Sequence, residues 1–176
     1  MNQISYNGIK RSKQNTEKPI NKKGSEESLS GSKGVIICEI CKAAYFKKRW
    51  YHGLEKIKSE NQNLPVIFKK CPACVMLKSK QFEGKISIEN VSEKNEKEIT
   101  SFVSAYGRRA WERDPMDRVI AVVKNKKELV ITTTENQLAL KIARKLKQML
   151  NKSTRDISFS PNPSDVTYIK IKLLDK

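Results

Sequence analysis

Residues 117–150 read DRVIAVVKNKKELVITTTENQLALKIARKLKQML, and a change of period within them decides the fold class. Two β-branched runs, 117–124 (DRVIAVVK) and 128–134 (ELVITTT), flank Asn125-Lys126-Lys127, which is a β-hairpin by composition and spacing. The period then becomes helical. Leu138, Ile142, Leu146, Met149 and Leu150 fall on one side of a helix over 135–151. Thr134 followed three residues later by Gln137 reads as a capping box at its start.

Outward from this stretch, residues 155–160 (RDISFS) and 166–174 (VTYIKIKLL) read as two closing strands separated by Pro161-Asn162-Pro163-Ser164, so residues 117–176 form a ββαββ module. Upstream, Ile86, Ile88 and Val91 suggest a strand within 84–93. Ile99, Phe102, Val103, Tyr106, Ala110 and Trp111 then mark one face of a helix over 95–113. Asp114-Pro115 stops that helix, because the residue before proline avoids the helical region. Residues 84–116 are expected to link the C-terminal module to whatever precedes it.

What precedes it is a cysteine module. Cys38, Cys41, Cys71 and Cys74 form two CxxC pairs, with 29 residues between Cys41 and Cys71. A CxxC turn lets two thiolates face one metal, and a second such knuckle completes a tetrahedral sulfur site. The intervening segment exceeds the usual zinc-ribbon spacing, so an insertion is expected in the basic stretch 47–63. Two disulfides would suit a secreted chain, and no signal peptide is evident. A redox CxxC needs only one pair. Four cysteines also suit an iron–sulfur cluster, but two symmetrical knuckles more often hold zinc. A filled four-thiolate zinc site has no open coordination position, so residues 34–83 are expected to use zinc structurally.

The chain of 176 residues has a net charge of +17, which points to a polyanionic partner, because neutralising phosphates releases condensed counterions. The surplus is +4 over residues 1–33, +6 over 34–83, +1 over 84–113 and +6 over 114–176. Residues 1–33 lack apolar clusters and are expected to form a disordered basic tail. No apolar run approaches the ~18 residues of a membrane helix, so a soluble, cytoplasmic protein without membrane contact is expected.

Basic and aromatic residues interleave directly after the first cysteine pair. Lys47, Lys48, Arg49, Trp50, Tyr51 and His52 combine phosphate-tracking cations with rings on which single-stranded bases stack. Trp50 is also expected to contribute to the module's small core. His52, the sole histidine, is expected at the surface or facing RNA, since four cysteines already satisfy a metal. On the helix 135–151, Lys141, Arg144, Lys145 and Lys147 form an unpaired positive strip away from the apolar side. Thr132-Thr133-Thr134 has neither a histidine nor a glycine-rich loop beside it, and strand propensity with capping accounts for it. No catalytic set accompanies these features, and a non-enzyme is expected.

The segments CEICKAAYFKKRWYH (38–52), CPACVMLK (71–78), RRAWERDPMDRV (108–119) and ELVITTTENQLALKIARKLKQML (128–150) together resemble a group of small bacterial and archaeal proteins of poorly known function. These carry an N-terminal four-cysteine zinc finger and a C-terminal α+β module, and the likeness covers roughly residues 35–174. More distantly, the chain is similar to the large-subunit export adaptor named for nonsense-mediated decay. That adaptor begins with paired CxxC motifs, several where this chain has two, and carries a strand–helix segment like VITTTENQLALKIARKLK (130–147). This second likeness implies binding to the large ribosomal subunit, with Cys38, Cys41, Cys71 and Cys74 as zinc ligands. The expectation is an α+β, zinc-binding, RNA-binding protein associated with rRNA and ribosomal proteins in assembly, translation control or dormancy. A zinc-ribbon DNA-binding regulator, a protein-interaction adaptor and, third, a hydrolase are the alternatives.

Overall fold

The computed structural model describes residues 18–19, 34–58, 64–126, 128–150, 153–159 and 166–174. The expected disordered tail, apart from Lys18–Pro19, and the Pro161–Ser164 turn lie outside these residues. The fold is α+β, with two mixed sheets.

The cysteine module is built on a sheet in the order β4-β3-β2-β5, from β2 (Val35–Cys38), β3 (Ala44–Phe46), β4 (Arg49–Tyr51) and β5 (Val66–Lys69). A short β1 (Lys18–Pro19) pairs instead with β6 (Gln81–Phe82). β2 is antiparallel to β3 but parallel to β5, so both β2 and β5 deliver their C-terminal ends to the same edge. The one-turn α1 (Glu55–Lys58) follows β4, and α2 (Pro72–Ser79) follows β5. Part of the expected insertion, residues 59–63, lies outside the described residues.

The second sheet runs β10-β11-β7-β9-β8, from β7 (Gly84–Glu89), β8 (Val119–Asn125), β9 (Glu128–Thr133), β10 (Ser153–Phe159) and β11 (Thr167–Leu173). All of its pairings are antiparallel except β11 with β7. The ββαββ order read for residues 117–176 is present, with α4 (Asn136–Met149) between β9 and β10. The segment expected to be a link does more than that. β7 is the central strand of this same sheet, and α3 (Glu93–Arg113) packs on it. Ile86 and Ile88 look like a half-exposed alternating strand in sequence, but here they sit in the middle of the main core.

Both helices bury their stripes against one face of this sheet. Ile99, Val103 and Ala110 of α3 and Leu138, Ile142 and Leu146 of α4 join Ile86, Ile88, Leu129, Ile131, Ile169 and Ile171 in one cluster. Spacings of three and four place these helical residues on one side. On the opposite face Lys170 and Lys172 are exposed, and Lys170 Nζ lies 2.7 Å from Glu89 Oε1. α3 starts at the N-cap Ser92, whose Oγ accepts from Asn95 N at 3.3 Å, and ends at the extended Asp114, as Asp-Pro requires.

α4 departs from the expected start. Its N-cap is Glu135, with no side-chain capping bond, so Thr134 and Gln137 do not form a capping box. Thr134 is diverted to tertiary bonds. Its Oγ1 donates to Met116 O at 2.6 Å and accepts from Arg118 N at 2.8 Å, pinning the 114–118 loop to the end of β9. Among the described residues, no helix is long and apolar enough to cross a membrane.

Gly84 sets how closely α4 approaches β7. A Cβ there would collide with the Ala139 methyl and Thr133 Oγ1, and would lie 3.2 Å from Glu135 O. Two of these neighbours are backbone or a rigid methyl, so they cannot swing aside. Gly84→Ala is therefore expected to lower the unfolding free energy by about 1–3 kcal/mol in denaturant titration, with the metal content unchanged.

Candidate metal centre

The four cysteine sulfurs lie within 4.8 Å of one another, and could hold a metal ion. Two different local devices bring them there. Cys38 ends β2, and Cys41 lies in the turn that follows. That turn is closed by Cys38 N donating to Ala43 O at 2.7 Å and Lys42 N to Cys38 O at 3.0 Å, with Lys42 at φ 61°. The second pair was expected to form a matching knuckle, but it sits at a helix N-terminus. Cys71 is the N-cap of α2, Pro72 follows at the first helical position, and Cys74 lies in the first turn. The -Cys-Pro-Ala-Cys- sequence suits both geometries. The missing signal was the helical run PACVMLKS after it, with buried Ala73, Cys74 and Met76 on one side.

Helix placement has an electrostatic consequence. Unpaired N–H groups at a helix start favour negative charge, and two of them serve sulfur here. Cys71 N donates to Cys38 Sγ at 3.3 Å, and Cys74 N to Cys71 Sγ at 3.4 Å. The spacing suits a single ion. Cys41 Sγ and Cys71 Sγ are 3.6 Å apart, and a tetrahedron with metal–sulfur bonds of about 2.3 Å has an edge of about 3.8 Å. All four thiols are unbridged.

The thiols perturb one another strongly. Hydrogen bonds from Cys71 and then Cys74 hold the Cys41 thiol far below its usual range, against burial, with further help from the positive charge of Arg118. The same contact with Cys41 pushes Cys71 far up and Cys74 up to about 12, and burial adds to both. The thiols thus share protons across short contacts. An ion at the centre replaces those protons, so loading is expected to weaken as pH falls and protons compete for the thiolates.

Arg118 comes from the C-terminal module, yet it faces this site. It is 5% exposed, its Nε donates to Pro115 O at 2.9 Å, its guanidinium lies 5.5 Å from the centre of the Trp111 ring, and Nη2 has no hydrogen-bond partner. A buried cation needs a compensating charge, and the thiolate cluster supplies one. Met116, two residues earlier, packs against the cysteine cluster itself.

Of the basic and aromatic residues singled out in the sequence, Trp50 is withdrawn from the surface. It is 9% exposed and packs with Ile36, Cys38, Cys71 and Cys74, with its ring tilted against Tyr45. Lys47, Lys48, Arg49 and His52 are exposed, and Tyr51 is half-buried. Lys141, Arg144, Lys145 and Lys147 are all exposed on α4, as a solvent-facing strip requires. The Arg113 cluster beside Trp111 suits an inter-module contact in sequence, but Arg118 carries no sequence signal tying it to the cysteine module. The structure brings them beside it, with His52 Nε2 2.5 Å from Trp111 O. Because a carbonyl only accepts, Nε2 carries the proton.

Cys71→Ser removes a ligand and the N-cap sulfur at once. It is expected to abolish metal retention and to collapse hydrogen-exchange protection over residues 34–83, where metal binding on the order of 10–16 kcal/mol supports a small core. Retained protection without metal would contradict that. Arg118→Met leaves all four ligands in place, and is expected to speed metal transfer to a chromophoric chelator by about tenfold with the far-UV spectrum unchanged.

No protein-family model matches this chain, and no curated protein matches it.

Proposed function

We propose that this chain is a non-catalytic zinc-binding protein that binds RNA, working on the ribosome at large-subunit rRNA in assembly, translation control or dormancy. Zinc is supported by the donor set. Four thiolates on a tetrahedral spacing suit this borderline-soft ion, and sulfurs this close converge on one ion rather than spanning a cluster. Four protein ligands fill zinc's coordination shell, which supports a structural role for the metal over a catalytic one.

The observation that carries the RNA reading is the tip of the β3–β4 hairpin. Phe46 pairs with Arg49, so Lys47 and Lys48 form a two-residue turn, with φ values of 46° and 64°. Such turns favour Asn-Gly, because L side chains are strained at positive φ. Here the strain holds two exposed ammonium groups at the tip, next to exposed Arg49. Strain kept where better turn residues exist points to a use for the side chains. The pattern recurs. Among the described residues, Lys42, Lys80 and Lys126 also occupy positive φ. With the exposed strip on α4, this favours a partner whose negative charge is distributed, and an RNA backbone fits it.

A protein-interaction adaptor remains the second reading, favoured by β5. This strand is at the sheet edge and exposes Val66, Ile67 and Phe68 at 47%, 36% and 61%. An exposed apolar edge strand suits pairing with a partner strand.

Sedimentation of lysate separates the two. RNA binding predicts that the chain travels with large subunits at low salt and leaves them steeply as salt rises. The variant with Lys47→Asn and Lys48→Gly should fold at least as stably, yet lose about 1.5 from the slope of log affinity against log salt, as two lost phosphate contacts require. Migration at the top of the gradient in low salt, or capture indifferent to salt and nuclease, contradicts the RNA reading. Preferential recovery of defined DNA duplexes over rRNA would assign the charge to DNA.

A further inference from the structure

The cysteine module and the C-terminal module meet at a cleft of about 410 Å³, within the ~300–1,000 Å³ typical of small-ligand sites. Arg49, Tyr51 and His52 come from the first module, and Trp111 and Arg113 from the second. The His52 ring meets the Trp111 ring edge-on, with centroids 5.1 Å apart and planes at 89°. That contact and the bond from His52 Nε2 to Trp111 O hold the two sides together. The Arg49 guanidinium lies 5.7 Å from the Tyr51 ring centre, and Arg113 is exposed, with its Nε donating to Arg109 O at 3.2 Å. Glu112 also lines the cleft, with its carboxylate 4.0 Å from Arg108 Nε, outside it.

We propose that this cleft holds one unpaired nucleotide of single-stranded RNA, and the proposal rests on the RNA-binding reading above. The chemistry selects that ligand. Tyr51, His52, Trp111 and the mostly buried Trp50 line a space of this size, and a ring already carrying a guanidinium, as Tyr51 does, marks a surface on which a planar base can stack. Arg49 and Arg113 at the two sides can meet the flanking phosphates with fork geometry. A stacked duplex cannot present a base here without unstacking it, so single strands and loops are the expected targets. The lysines at positions 47 and 48 then continue the phosphate track away from the base-binding cleft. Because both modules line it, ligand and module contact support each other.

The test is fluorescence anisotropy of metal-loaded full chain with a labelled twelve-nucleotide single-stranded RNA and with a duplex of the same length. Tyr51 packs against Val35, Ile37, Ala44 and Ile57, so its truncation could unfold the module. Tyr51→Leu keeps that apolar packing and removes the ring, and Tyr51→Phe keeps the ring. Tyr51→Leu and Arg113→Ala are each expected to weaken single-strand binding about tenfold or more, while Tyr51→Phe binds like the parent and duplex binding is weaker throughout. If salt-dependent binding persists but both variants match the parent, or duplex binds as tightly as single strand, the cleft assignment is wrong and the RNA reading stands. If the parent binds neither RNA at low salt, both fall.

Discussion

Four thiols forced within 4.8 Å of each other are the constraint on which the N-terminal half depends. Ionised together without a cation they repel, and protonated they fill the centre with weak donors. A bound cation would resolve the conflict, and the rest of the module is arranged to bring the sulfurs together. Parallel pairing of β2 and β5 brings Cys38 level with Lys69, two residues before Cys71. The start of α2 supplies N–H groups to sulfur, and Trp50 and Ile36 exclude water from the same cluster. With β5 exposed at one edge and few large apolar residues elsewhere, this half cannot rest on hydrophobic burial alone.

The C-terminal half has the opposite economy. Its core is a continuous apolar layer between one sheet face and two helices, and its polar bonds serve to position loops. Thr134 shows how the halves are joined. By binding Met116 O and Arg118 N, it fixes a loop whose two ends reach the cysteine cluster, Met116 by packing and Arg118 by charge. The cysteine cluster is therefore held from both halves. A change in its occupancy alters the charge facing a buried guanidinium that also lies against Trp111.

Much of this was legible in the chain, for identifiable reasons. The ligand set followed from thiolate chemistry, and α3, α4 and the β8–β9 hairpin followed from period and breakers, because each is encoded by neighbours in sequence. Long-range choices were not legible. Nothing local to Gly84–Glu89 says that β11, some eighty residues on, will pair with it in parallel and make it central. Thr134 satisfied a local capping pattern, but a buried loop offered its hydroxyl stronger partners, and tertiary bonding overrode the local rule. The second cysteine pair looked like a knuckle because CxxC spacing fits both a turn and a helix start. Only the apolar side of residues 72–79 distinguishes them. Trp50 joins the core as its place in a small module suggests, while Trp111 is placed only by tertiary contacts. The tryptophan beside the basic run is used as core, and the one on a distant helix lines the cleft.

The lysines at positive φ bear most directly on where the chain places its charge. Each occupies a backbone region where asparagine or glycine is less strained, at a cost of roughly 1 kcal/mol per residue. A chain enriched in lysine only by composition would place it first on strands and helices, where it is conformationally free. At Lys47 and Lys48 it stands instead at the apex of a hairpin whose base is anchored through Tyr45 and Trp50 to the cysteine cluster. A cation bound at the sulfurs would stiffen the base of this hairpin and fix the placement of its exposed ammonium groups.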